Sequence, residues 1–187
     1  MVDTTQPDGC DPDLSGLPDP EALRAFWDVA RVHARLGASV PSYFGPSTLE
    51  VVPPPAWGFG DEEAAARTAE VLEGLVTGAT SRLGEHAEGE LPAVGSLSIL
   101  LDAHVRPVAL LSTTAVQVTA VAQVPPAHMA AELAAVPPDP AALRAAWLAT
   151  VVAGLGPVAD DDLLVLETFH VVHRADGAER ADGAERP

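Results

Sequence analysis

Apolar residues recur at helical spacing as Leu23, Phe26, Ala30 and Ala34, which predicts a helix over about residues 20–37 with Gly37 as its stop. A second helical pattern covers about residues 62–76, with Asp61 as N-cap, Glu62 and Glu63 in its positive first turn, and Gly78 as its end. The pattern then changes. "VGSLSILLD", the turn "DAHVRP" and "VALLSTTAVQVTAV" read as two antiparallel strands around residues 96–121. Helices near 126–135 and 140–154 follow, and "DDLLVLETFHVVHR" is a β-branched, apolar closing strand. Few strands among interspersed helices predict an α+β fold with a mainly antiparallel, barrel-like sheet. "PDPEALRAFW" (18–27) and "PDPAALRAAW" (138–147) agree at eight of ten positions. A shared helix start explains the echo more simply than a duplicated domain, because Asp19 and Asp139 can each cap a helix beginning at the following proline.

Outside these patterns the chain has little to bury. Residues 1–17 are rich in Asp, Pro, Gly and Thr, and the end repeats "ADGAER" in tandem, so residues 1–17 and 175–187 read as disordered tails. Residues 18–55 form an N-terminal helix and a Pro-rich connection, leaving residues 56–174 as the main domain. The single cysteine, Cys10, has no internal disulfide partner, and the N-terminus shows no basic start followed by an apolar run. A reducing, cytoplasmic setting is the expectation. The longest apolar region is interrupted by Ser, Thr and Gln, so no membrane anchor is expected.

Charge narrows the function. Asp and Glu number 27 against 10 Lys and Arg, a net charge of −17, so a long duplex would be repelled. The sequence contains no lysine at all, which removes every mechanism that needs a lysine amine. "EGLVTGATSRLGE" (73–85) looks like a phosphate loop, but three residues separate Gly74 from Gly78 and no lysine follows. Thr77, Thr80, Ser81 and Arg82 therefore read either as a solvated turn satisfying its own backbone or as a ligand-binding turn in which Arg82 meets a phosphate or base edge. Trp57 and Phe59 in "AWGFGD" either pack or stack on a base. Glu167 either faces a cleft or pairs with Arg82 or Arg106. His170 and His173, three apart in a strand, point to opposite faces, while His128 and Glu132, four apart on a helix, have no third ligand. No metal site or cofactor is implied.

The order of segments carries more than any one of them. "AWGFGD" before a helix, the Gly/Thr turn, "GELPAVGSLSILLDAHVRPVALLSTTAV", "LRAAWLATV" and "LVLETFHVV" together resemble the ASCH domain family over about residues 56–173. The resemblance implies a PUA-like fold, a small, mainly antiparallel β-barrel with flanking helices over a cleft, and binding of RNA or nucleosides. Some relatives are amidohydrolases acting on acetylcytidine, and a ribonuclease activity has been proposed for others. In the amidohydrolase-type relatives the turn reads like Gly-x-Lys-x-x-Thr, with lysine, threonine and a later glutamate catalytic. Here Thr80 matches the threonine if the turn is one residue longer, Val76 or Thr77 stands at the lysine, and Glu132 is the candidate glutamate. Valine can supply neither a proton nor a positive charge, so a threonine nucleophile lacks the family's activating partner.

Three readings follow. The preferred one is an ASCH-like module binding RNA, a nucleotide or a nucleoside through Thr77, Ser81, Arg82, Trp57 and Glu167, without lysine-dependent hydrolysis. The second is a hydrolase of an acylated nucleoside or RNA, with Thr80 and Glu132 catalytic, the substituted base being Glu132 or a nearby histidine. The third is an acidic scaffold for a protein partner.

Overall fold

In the computed structural model the described residues are 17–34, 52–60, 63–87 and 90–175. The predicted tails lie outside them except for Leu17 and Ala175, as do Gly37, Asp61 and Glu62.

The element order is α1 (Pro20–His33), β1 (Ala56–Trp57), α2 (Ala64–Glu73), β2 (Gly78–Arg82), β3 (Leu97–Leu101), β4 (Pro107–Ala120), α3 (Pro126–Ala131), α4 (Pro140–Leu155) and β5 (Leu163–Arg174). The strands form one five-stranded sheet in the order β1-β3-β4-β5-β2. Only the short β1–β3 pair is parallel. Helices pack on the sheet in an α+β arrangement. The fold is the expected α+β one with a mainly antiparallel sheet, and among the described residues that sheet is open: its outer strands, β1 and β2, do not pair with each other.

Helices α1 and α4 start where the sequence places them, while α2 starts at Ala64, with Glu63 at its N-cap and not in its first turn. Asp19 accepts from the amide of Glu21 at 2.9 Å, and Asp139 accepts from that of Ala142 at 2.9 Å, each ahead of a proline in the first turn. α1 buries Phe26, Trp27 and Ala30 against Ile99, Leu101 and Leu110. α4 buries Leu143, Trp147 and Val151, a stripe at four-residue spacing, against Leu164 and Leu166 of β5. α2 buries Ala64, Thr68 and Val71.

Two details of the second helical unit differ from expectation. α2 stops at Gly74, whose φ of 78° is the left-handed cap conformation, and not at Gly78. Residues 78–82 are then not a turn but the edge strand β2, antiparallel to β5, with Thr80 opposite Leu166 and Ala79 opposite Glu167. A short strand of glycine, threonine, serine and arginine has no apolar alternation to reveal it. It forms because β5 offers it a ladder.

β4 and β5 are long and bent. Their register shifts between Leu110 and Leu111 and again between Thr113 and Ala115, and such bulges turn a strand sharply. As a result the first half of β4 pairs with both β3 and β5, while Ala115–Ala120 continue along β5 alone. This second half of the sheet, β4-β5-β2, is the one that α3 and α4 cover.

Candidate functional site

The site forms where β2 meets α3 and α4. Thr77 starts the approach: its amide donates to Ala131 O at 2.8 Å, and its carbonyl accepts from the Phe169 amide at 2.9 Å. The next residue must be small. A Cβ on Gly78 would lie 3.2 Å from both Ala131 Cβ and Glu132 Cγ, so glycine lets the strand lie flush against the end of α3.

Two positions on, Thr80 turns its hydroxyl to the same helices. Thr80 Oγ1 lies 2.9 Å from Glu132 Oε2 and 3.0 Å from His128 Nε2. Glu132, the residue that caps α3, also accepts on Oε2 from the indole N–H of Trp147 in α4. His128 and Glu132 themselves approach to 3.6 Å. Burial is deep: His128 is 7% exposed, Glu132 4% and Trp147 0%, whereas Thr80 is half-buried and gives the cluster its outward side.

Burial sets the protonation of the cluster. It pushes the His128 pKa down from 6.5 to about 4, so the imidazole is neutral at neutral pH. It raises the Glu132 pKa, opposed by hydrogen bonds from Trp147 and Thr80 and by the charge of Arg67 in α2. That guanidinium lies 4.0 Å above the Phe59 ring. One hydroxyl carries one proton. When Thr80 donates to the Glu132 carboxylate, His128 must donate to Thr80 through Nε2–H; when Glu132 is protonated and donates, Thr80 donates to a bare His128 Nε2. In either state a buried neighbour can take the proton of the Thr80 hydroxyl, the geometric requirement for general-base assistance.

Of the residues singled out from the sequence, Thr80 and Glu132 come together here. Ser81 faces the other side of β2 and pairs with His86 Nε2 at 2.7 Å. Arg82 lies at the far end of the strand, where it reaches Asp162 at 3.3 Å and the carbonyls of Leu155 and Pro157 at 3.2 and 2.5 Å. This ties the end of α4 to the start of β5. Trp57 donates its indole N–H to Ser98 Oγ at 3.1 Å and meets Phe59 and Phe169 edge-on. Glu167 pairs with neither Arg82 nor Arg106. It accepts from Thr113 Oγ1 at 2.5 Å and, being opposite Ala79, leaves β5 on the face away from Thr80. His128 and Trp147 are not among the site residues that the sequence singles out, although the i, i+4 spacing of His128 and Glu132 is visible in it.

The family model of the ASCH domain matches residues 55–173. The chain belongs to the ASCH domain family. Among solved structures it is similar to protein EF3133 from Enterococcus faecalis V583, with a TM-score of 0.58 and 23% identity over 81% of this chain and 93% of that one. It is also similar to the ASCH domain from Lactobacillus crispatus JV V101, with a TM-score of 0.56 and 24% identity over 84% and 96%. At this identity the two structures establish the fold, the PUA-like α+β fold of ASCH domains. None of the curated proteins matches. Among the described residues no helix is long and apolar enough to cross a membrane.

Proposed function

We propose that this ASCH domain binds a nucleoside, a nucleotide or a short single-stranded RNA beside Thr80, and that it does so without lysine-dependent amide hydrolysis. The observation that carries the reading is the half-buried residue Thr80, whose hydroxyl is held by His128 and Glu132 at the junction of β2, α3 and α4. A buried, polar, hydrogen-bonded cluster with one half-buried member is the kind of arrangement that can fix the orientation of a small polar ligand. The base edge of a nucleoside offers the matching donors and acceptors. The acidic net charge of −17 favours small ligands over long polyanions. The proposed binding site centres on Thr80, with His128 and Glu132 behind it, whereas Arg82, Ser81 and Glu167 engage Asp162, His86 and Thr113 instead of this cluster.

A second reading is favoured by the same distances. Thr80 with Glu132 at 2.9 Å and His128 at 3.0 Å is a nucleophile beside two candidate bases, which suits hydrolysis of an N-acylated nucleoside. One experiment separates the two. The purified chain and its Thr80→Ala variant are titrated with nucleosides, nucleotides and short single-stranded RNAs, following tryptophan fluorescence, and are incubated with N-acetylcytidine. Binding that weakens about 10-fold or more in the variant, with no turnover, supports the binding module. Turnover abolished by Thr80→Ala supports the hydrolase. No response to any ligand at either low or moderate salt overturns both.

A further inference from the structure

Among the described residues the second half of β4 is a free sheet edge. β3 registers with β4 only from Pro107 to Ser112, and the last backbone bonds on that side join Thr113 to Gly95 and Ser96, just before β3. Past the bulge, Ala115–Ala120 pair with β5 on one side and, among the described residues, with no strand on the other. Thr114, Ala115, Gln117 and Val118 are exposed. Val118 is 42% exposed, and Leu163, opposite Ala120 on the same face, is 50% exposed, so the edge is flanked by an apolar patch. Natural sheets protect such an edge with lysine, proline or a charge, because its free N–H and C=O groups template pairing with another chain. Here none of these is present: from Val108 to Val124 the sequence has no charged residue and no proline.

The charge of the rest of the molecule selects the occupant. A basic partner would be drawn to the acidic surfaces of a chain carrying −17, not to its uncharged strip. A second copy carries the same net charge, and the uncharged strip is where two copies can meet with least repulsion. Antiparallel pairing of a strand with its own copy about a two-fold axis presents the same patch on both sides, so a single sequence satisfies both partners. We infer that two copies of this chain associate edge to edge through Ala115–Ala120, joining their sheets and covering Val118 and Leu163. One strand pair and its flanking side chains is a small interface, so the dimer is weak and forms with rising concentration.

The test is sedimentation velocity of the full chain from about 2 to about 200 μM, at about 0.05 and about 0.5 M NaCl, salts that bracket strong and weak screening. The mass is expected to rise toward twice the monomer value, and further in high salt, because salt screens two like-charged bodies joined by a neutral seam. Val118→Lys and Gln117→Glu each place like charges across that seam and are expected to return the chain to monomer with an unchanged thermal melt. Gln117→Glu, at an exposed position, keeps the test decisive if Val118→Lys perturbs folding. A monomer at every concentration, a dimer that survives both variants, or a dimer that weakens with salt overturns the inference.

Discussion

Thr80 has one proton and two buried partners, and their ionisation decides which way it points. His128 is a base whose folded pKa is depressed from 6.5 to about 4. Its contribution to stability is therefore fully present above pH 6.5 and is lost as pH falls toward 4. Glu132 is an acid whose folded pKa is raised by burial, so its contribution is fully present below pH 4.5 and is lost as pH rises through the raised value. Denaturant unfolding across pH checks both signs. His128→Asn is expected to remove the acid-side loss, up to ~3 kcal/mol for a shift of this size, and Glu132→Gln to flatten the loss on the rising side. Neither His128 nor Trp147 could be placed at the site from the chain alone. Histidine on a helix and tryptophan on another, 19 positions away, share no sequence periodicity; only the fold makes Glu132 their common neighbour.

At the scale of elements, the junction of β2 with α3 depends on Gly78. Gly78→Ala puts a methyl 3.2 Å from Ala131 Cβ and Glu132 Cγ, tighter than ordinary van der Waals contact. Pushing the strand from the helix strains the Thr77–Ala131 backbone bond and pulls Thr80 from Glu132. The variant is expected to lose ~1–3 kcal/mol of stability and to weaken ligand binding with it, measured by chemical denaturation and titration on the same preparation. Helices α1 and α4 were readable in outline because each has a capping aspartate, an N-terminal proline and an apolar stripe. β2 was not, since its five residues include glycine, two hydroxyl side chains and an arginine, and carry the pattern of a loop.

At the scale of the whole molecule, the net charge of −17 acts on any anionic ligand before contact is made. A reader of nucleic acid with a basic face loses affinity as salt rises, because binding releases counterions. This domain is expected to do the reverse with a short single-stranded RNA: affinity rises between about 50 and about 200 mM salt as the repulsion is screened. A neutral nucleoside at the same site is expected to show no salt dependence. Parallel titrations of the two ligands across salt check this, and a steep loss of RNA affinity with salt would point to a basic patch that the composition does not provide.

The sequence by itself determined the fold family, the caps and faces of the main helices, the strand pair around the "DAHVRP" turn, the acidic field and the absence of lysine. Those properties are local or compositional: each is written in consecutive residues or in their sum. It also brought Thr80 and Glu132 forward, through the order of segments that resembles ASCH domains. The tertiary structure alone decided that residues 78–82 are an edge strand, that Arg82 braces α4 against β5, that Glu167 lies on the opposite face, and that His128 and Trp147 complete the cluster around Thr80. The reason is that hydrogen-bond partners 15 to 80 positions apart are chosen by the register of strands and the packing of helices, which no short stretch of the chain encodes.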